Sequence, residues 1–318
     1  MVPQWLHNNI AKITLPTPFA VGDVNIYLIK GDALTLVDVG PKTEEALKSL
    51  IEQLSQLGYQ LEDIEHVVLT HHHPDHAGLL DWIPAHVKVW AHPNAEKWLY
   101  RTESFYEQYD AFFGEMFLQA GVPKEFLPFL KKLRSSLKFM CQRHLDNELN
   151  DTDTFTGWRV IETLGHAQSH ISLFRESDGV LIAGDHLLKH ISPNPLLEPP
   201  FGLIERTKPQ LQLNHSLHKL KELSPSYAFT GHGEDIVDVK ELIDLRLKKQ
   251  HERALFVLKL IGEQQETIFT LCQKLFPKVY KTELGLTLSE TVAQLDYLGS
   301  LGLVSVSNEN GVWKYSCS

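Results

Sequence analysis

The sequence predicts an α/β protein, and three observations carry that expectation. Short β-prone apolar runs recur as far as Thr230. Helix-spaced apolar residues separate the earliest of these runs. The 318-residue chain is 43% hydrophobic and 22% charged, ordinary values for a globular protein with a buried core.

In chain order, Ile26–Ile29 and Leu34–Val37 read as strands, the second running into Asp38-Val39-Gly40. From Thr43 to Leu57, Ala46, Leu47, Leu50, Ile51, Leu54 and Leu57 fall at helical spacing, and Gly58 stands where such a helix stops. A strand over His66–Thr70, a histidine-rich loop, a helix over Asp75–Trp82 and a strand over Val87–Ala91 follow. From Ala95 to about Leu145 the pattern is wholly helical and carries Phe105, Tyr106, Tyr109, Phe112, Phe113 and Phe117. The strand pattern resumes at Trp158–Leu164, Val180–Ala183 and Ser226–Thr230. Residues 95–145 are therefore expected as a helical insertion within one domain spanning 1–244.

From about Leu245 the character changes. Helices over Ile243–Gln264, Glu266–Phe276 and Leu288–Leu301, the last closed by Gly302, precede two short strands. These strands, Leu303–Ser307 and Val312–Ser316, flank Asn308–Gly311. That order outlines a small winged-helix-like domain over 245–318.

The formal net charge of −10 argues against broad binding to nucleic acid or an anionic membrane. Cys141, Cys272 and Cys317 stand far apart in no CxxC spacing, which argues against a disulfide framework and suits a reducing compartment. The N-terminal string MVPQWLHNNIAKITLPTPFA lacks a basic region followed by an apolar run, so it does not read as a signal peptide. No segment approaches the roughly 20 apolar residues a spanning helix needs. A cytoplasmic protein without membrane contact is expected.

The string THHHPDH offers His71, His73, Asp75 and His76 within six residues. Imidazole nitrogen and carboxylate oxygen are ligands that zinc and similar divalent ions favour. Three later segments add His166 in TLGH, Asp185 in AGD and His232 in TGHG. All four segments follow an apolar β-prone run: VVLT, WRVIETLG, VLIAG and YAFTG. Such ligands can gather at one end of a sheet, where α/β proteins place their sites. An isolated His166 or His232 would read as an ordinary structural histidine; four segments with one setting do not.

His71-x-His73-x-Asp75-His76, with His166, Asp185 and His232 following in that order, resembles the metallo-β-lactamase superfamily over about residues 15–245. The resemblance implies a four-layer αβ/βα sandwich. It further implies that His71, His73 and His166 hold one metal, that Asp75, His76 and His232 hold the other, and that Asp185 bridges them. Two divalent ions, zinc foremost and iron or manganese as alternatives, would leave an electropositive centre and yield a metal-bound hydroxide near neutral pH. Asp75 is expected to be catalytic as well, orienting the water or passing a proton. Asp38, at a strand end, is a candidate acceptor behind a ligand imidazole, with weaker claims for Thr70 and His92. His170 and His190 are candidates to face the substrate. His7, His66, His86, His144, His215, His218 and His251 read as structural or solvated.

Departures from relatives narrow the chemistry. Flavodiiron proteins carry Glu where this chain has His73, together with a flavin domain; neither is present, which favours hydrolysis over redox chemistry. The commonest zinc β-lactamases use a cysteine ligand, but no Cys lies near these motifs and Asp185 takes the corresponding position. Related lactonases often place Tyr three residues after the bridging Asp, where this chain has Leu188. The expected function is a binuclear hydrolase of an ester, thioester or related small molecule. A nuclease or phosphodiesterase of the same fold is the alternative, and a non-catalytic metal-bound or DNA-binding regulator a second.

The insertion, with Lys124, Lys131, Lys132, Arg134, Lys138 and Arg143 beside its aromatics, is expected as a mobile lid with a cationic rim for an anionic, partly apolar substrate. The loop SPNPLLEPP is too proline-rich for a helix and is expected to rim the same cleft. In the third C-terminal helix, SETVAQLDYLGSL holds Glu290 and Asp296 but no Lys or Arg, so specific DNA binding is not expected. Packing or homodimerisation is the expected role of that domain, which could also wall the active site.

Overall fold

The computed structural model of the chain describes residues 3, 5–7, 9–202 and 205–318. The first sheet holds seven strands in chain order: β1 (Trp5–Leu6), β2 (Ile10–Leu15), β3 (Val24–Lys30), β4 (Leu34–Val37), β5 (His66–Val68), β6 (Lys88–Ala91) and β7 (Asn147–Glu148). β1 to β4 pair antiparallel and β4 to β7 parallel. The second sheet consists of β8 (Thr154–Phe155), β9 (Trp158–Glu162), β10 (Ile171–Arg175), β11 (Val180–Ile182) and β12 (Tyr227–Phe229). Its order is β12-β11-β10-β9-β8, with only β11 and β12 parallel.

Period-two alternation explains how these strands stack. In β3, Tyr27 and Ile29 face a core shared with Trp158, Val160, Leu173 and Phe229 of the second sheet. Ile26 and Leu28 point the other way, towards Ala46, Leu50 and Leu54 of helix α1 (Glu44–Gln56). The second sheet repeats this on its outer side. There Ile161, Leu181 and Ala228 pack on Leu217 and Leu220 of one helix and on Val239 and Ile243 of another. The layers run helix, sheet, sheet, helix. Strands buried on both faces need continuous apolar runs, which is why β3 and β4 were legible.

Six further helices complete the first part and begin the second: α2 (Pro74–Ala77), α3 (Glu96–Leu99), α4 (Glu103–Gln119), α5 (Pro128–Ser136), α6 (Pro209–Leu223) and α7 (Val239–Ile261). The helix expected over Asp75–Trp82 divides into α2 and a 3-10 turn at Gly78–Trp82. α7 starts before the expected Ile243 and ends before the expected Gln264, because Gly262 at φ +63° takes the chain out of helical conformation. The division expected at residue 244 thus falls inside one continuous helix. Its first half packs on the second sheet and its second half, through Ala254, Val257 and Ile261, on the C-terminal elements.

Those elements are α8 (Ile268–Leu275), α9 (Leu284–Ser300) and a three-stranded antiparallel sheet of β13 (Glu266–Thr267), β14 (Val304–Glu309) and β15 (Val312–Cys317), ordered β13-β15-β14. Thr267, expected inside a helix, instead caps α8 by accepting the Thr270 N–H. The helices of the insertion share this core. Met116, Phe117 and Ala120 of α4 pack with Ile268, Phe269 and Leu288, and the Phe269 N–H donates to the Ala120 carbonyl at 2.9 Å. The expectation of a lid moving by itself therefore meets an insertion whose core is that of the C-terminal helices. No described helix is long and apolar enough to cross a membrane.

A candidate metal centre between two sheet ends

Five strands end at one place, each before a ligand-type residue. β4 leads to Asp38, β5 to His71–His76, β9 to His166, β11 to Asp185 and β12 to His232. The expected strands over His66–Thr70, Trp158–Leu164, Val180–Ala183 and Ser226–Thr230 each stop at least one residue early. The freed residues turn over the sheet end and carry the ligands inward.

All seven expected ligands lie within that cluster. His71, His73 and His166 offer nitrogens within 4.8 Å of one another, as do the donor atoms of Asp75, His76 and His232. Asp185 stands between: Oδ1 is 3.4 Å from His76 Nε2, and Oδ2 lies 3.6 Å from His166 Nε2 and 3.4 Å from His232 Nε2. Asp75 Oδ2 is 3.3 Å from His232 Nε2.

The tautomers follow from the outer partners. His76 Nδ1 donates to Asp38 Oδ2 (2.8 Å), His166 Nδ1 to the Asn194 carbonyl (3.0 Å) and His232 Nδ1 to the Asp23 carbonyl (2.7 Å). The Thr70 hydroxyl donates to Asp38 Oδ2 at 2.7 Å, so it accepts from His71 Nδ1 at 3.0 Å. Each of these four imidazoles thereby aims Nε2 at the centre. Asp38 also receives the Thr70 N–H at 2.7 Å and sits in the left-handed region at φ +64°. It stands behind His76, a candidate ligand.

Of the buried side-chain atoms without a hydrogen-bond partner among the described residues, four belong to this cluster: His76 Nε2, His166 Nε2, His232 Nε2 and Asp185 Oδ1. Buried polar atoms are normally paired, so an orphaned set of imidazole and carboxylate donors fits a divalent cation. Gly231 admits the cluster: a Cβ there would collide with Asp185 Oδ1 and meet His76 Cε1 at 2.9 Å.

Electrostatics divide the histidines. Burial, reinforced by neighbouring imidazoles, holds His71 and His73 well below the ordinary histidine range, so both are neutral and ready to ligate. Burial alone would lower His76 and His232 too. The Asp185 carboxylate overrides it, aided at His76 by Asp38 and Asp75, so His76 rises well above the usual value and His232 to about 10. Asp185 would be raised by burial, but His232 and His76 pull it well below the carboxylate range.

The substrate-facing candidates need correction. His170 is buried behind the ligands, where Nδ1 meets the Thr163 hydroxyl at 2.8 Å and Nε2 accepts the Asp185 N–H at 3.1 Å. It positions the backbone of Asp185 and faces no cleft. His190, with its side chain 67% exposed, pairs with Glu234 at 3.2 Å on the surface. The five-residue spacing from Asp185 said nothing of direction, because the intervening chain is not a regular element. His92 meets Glu162 at 3.0 Å away from the cluster.

The cleft beside the candidate ligands is lined by His72, His73, Pro74, Asp75, Trp98, Tyr109, Phe113, Leu137, Met140, Leu197, Glu198 and Leu286, among others. Tyr109 and Phe113 supply the aromatic wall expected of the insertion. Of the cations expected as a rim, none lines this cleft, while Lys132 and Lys138 line the groove adjoining it. Arg143 donates to the Leu80, Ile83 and Val87 carbonyls; Arg134 pairs with Asp110; Lys132 bonds the Thr282 carbonyl; Lys138 lies over the Phe139 ring.

Two residues here escaped sequence reasoning. His72 stacks on Trp98 (4.2 Å, 9°) and meets the Ser169 hydroxyl at 2.8 Å. Glu198 accepts the Gln168 N–H at 2.9 Å, and burial pushes its carboxyl up to about 8. The available signal was that Glu198 is the one charged residue from Ile191 to Ile204, set between leucines and prolines.

Comparisons with known proteins agree with this geometry. The family described as Metallo-beta-lactamase superfamily matches residues 20–232. A protein named probable metallo-hydrolase YqjP, from Bacillus subtilis, is 44% identical over 293 residues, covering 91% of this chain and 92% of its own length. The crystal structure of a metallo-beta-lactamase family protein from Thermus thermophilus superposes with a TM-score of 0.82 at 28% identity, over 99% of this chain and all of that one. A beta-lactamase domain protein from Burkholderia ambifaria superposes with a TM-score of 0.80 at 23% identity, covering 99% and 94%.

Proposed function

The chain belongs to the metallo-beta-lactamase superfamily, and we propose that it is a binuclear metal-dependent hydrolase of an ester, thioester or related small molecule. The observation that carries this is the set of four buried, unpartnered ligand atoms converging between the sheet ends. In this reading His71, His73 and His166 hold one divalent ion, Asp75, His76 and His232 the other, and Asp185 both. The two ions, zinc foremost, would supply an acidified water as nucleophile and Lewis acidity towards the substrate oxygen.

The chain's own residues do the rest. Asp38 and the Asn194 and Asp23 carbonyls fix the ligand tautomers, so no ring must turn during a reaction. Asp75 lines the cleft and stands beside His232, where its free oxygen can take the proton of the attacking water and return it to the leaving group. The apolar lining of Trp98, Phe113 and Met140 keeps bulk water away. We read the C-terminal unit as winged-helix-like and without DNA contacts.

Elemental analysis of protein purified without added metal tests this reading, with two divalent ions per chain expected. The metal-loaded enzyme should turn over members of a thioester and ester panel in preference to phosphodiesters. A metal content of zero that soaking does not raise would refute it, as would activity on phosphodiesters alone.

A further inference from the structure

Helix α9 belongs to a unit remote in sequence from every ligand motif, yet its first turn closes the cleft. Gly285, Leu286 and Ser289 line it beside His73 and Asp75. They are tied to the loop that follows the Asp185 segment: Asn194 Nδ2 donates to the Leu286 carbonyl at 3.2 Å, and the Leu197 N–H to Ser289 Oγ at 3.1 Å. The cleft, about 280 Å³, does not end there. It shares Phe19, Leu133, Ser136, Gly285 and Leu286 with an outer groove of about 670 Å³ that reaches Phe129 and Phe139. Leu133 of α5 and Gly285 of α9 face each other across the neck, where a Cβ on Gly285 would stand 2.5 Å from Leu133 Cδ2.

The chemistry of this passage changes along its length: Lys132, Lys138 and Glu283 line the outer groove, and none of them lines the inner part. Its inner part carries no lysine or arginine among the described lining residues, and its carboxyl groups are Asp75 and Glu198. A phosphate or carboxylate held at the neck between Leu133 and Gly285 would lose hydration, with no charged group among the lining residues shared by cleft and groove to compensate it. An alkyl or aryl chain would lose nothing and bury apolar area on Trp98, Phe113 and Leu286.

We propose that the passage between α5 and α9 is the subsite for an uncharged apolar chain of the substrate, and that the first turn of α9 sets the length accepted. The substrate class is therefore an ester or thioester with an aliphatic or aryl chain near the scissile bond, not a nucleotide. This rests on the hydrolase reading above.

Two ligand series separate the two readings. The zinc-loaded protein is titrated calorimetrically with straight-chain hydroxamic acids, uncharged in solution near neutral pH and releasing the N–OH proton to the buffer on chelating metal, from acetohydroxamic to dodecanohydroxamic acid. Affinity is expected to rise about threefold to fourfold per added methylene until the passage is filled. Leu286→Trp, at a position 44% exposed and so tolerant of bulk, should weaken the long members by about tenfold or more and leave acetohydroxamic acid unchanged. The metal-free protein is titrated in parallel with alcohols from butanol to dodecanol, with the same dependence on length and on Leu286→Trp expected. A flat hydroxamate series, or a Leu286→Trp effect equal at all lengths, overturns the proposal, as does a flat alcohol series. If acetohydroxamic acid fails to bind while the alcohols behave as expected, the metal-hydrolase reading falls and the apolar subsite stands.

Discussion

Asp38 accepts from the Thr70 amide, the Thr70 hydroxyl and His76 Nδ1, and so couples two ligand imidazoles to one carboxylate. Asp38→Ala should lower metal affinity about 10- to 100-fold, the usual cost of losing such a partner, read by competition with a chromophoric chelator. Unchanged affinity would show that His76 needs no orientation. Glu198 makes a second prediction at this scale. Its carboxyl is pushed by burial to about 8, against an ordinary value near 4.5. Between these values the folded chain holds a proton that the unfolded chain has released, so its contribution is intact below about pH 4.5 and is lost as pH rises through 8. In metal-free protein, Glu198→Gln should remove about 2–3 kcal/mol of stability loss between pH 6 and pH 9, seen by urea denaturation at both values. Parallel pH profiles for the two proteins would contradict it.

Among the elements, α4 is the one whose role changes most between sequence and structure. Its aromatics suggested a flap lined for substrate, and Tyr109 and Phe113 do face the cleft. Phe117 does not: at 1% exposure it is packed with Ile268, Phe269 and Leu288. Phe117→Ala should cost about 3–5 kcal/mol. Because the core is shared, hydrogen exchange should accelerate in α8 and α9 as well as in α4. Faster exchange confined to α4 would show the insertion to be energetically separate.

The whole molecule joins a four-layer body to the C-terminal helices through one uninterrupted helix, α7, and through the core shared with the insertion. α9, the helix that would have to enter a DNA groove, is buried along most of its length, with Thr287 to Leu295 all inside. Arg206 binds Asp296 on it through both guanidinium nitrogens, at 2.6 and 2.7 Å. With a net charge of −10 added, duplex DNA should bind no more tightly than about the 10⁻⁴–10⁻⁶ M of non-specific association, measured by fluorescence anisotropy at moderate salt. A sub-micromolar affinity would contradict this.

The sequence alone determined the α/β class, most strands and helices, and the identity of the residues that meet at the sheet ends. It could do so because ligand chemistry is written in residue type, and each ligand run follows a strand whose apolar pattern is local. α6 went unread, since its buried Gln210 and Ser216 interrupt the apolar stripe that marks a helix. Only the tertiary structure decided which histidines face the centre and which, like His170 and His190, face a supporting backbone or the solvent. It also decided that Glu198 is buried, that Lys132, Arg134, Lys138 and Arg143 of the insertion bind carbonyls, a carboxylate and a ring, and that α9 walls the cleft. Direction, burial and contact between distant segments depend on how two sheets and the long connections between their strands pack together. No period or motif along a single chain encodes them.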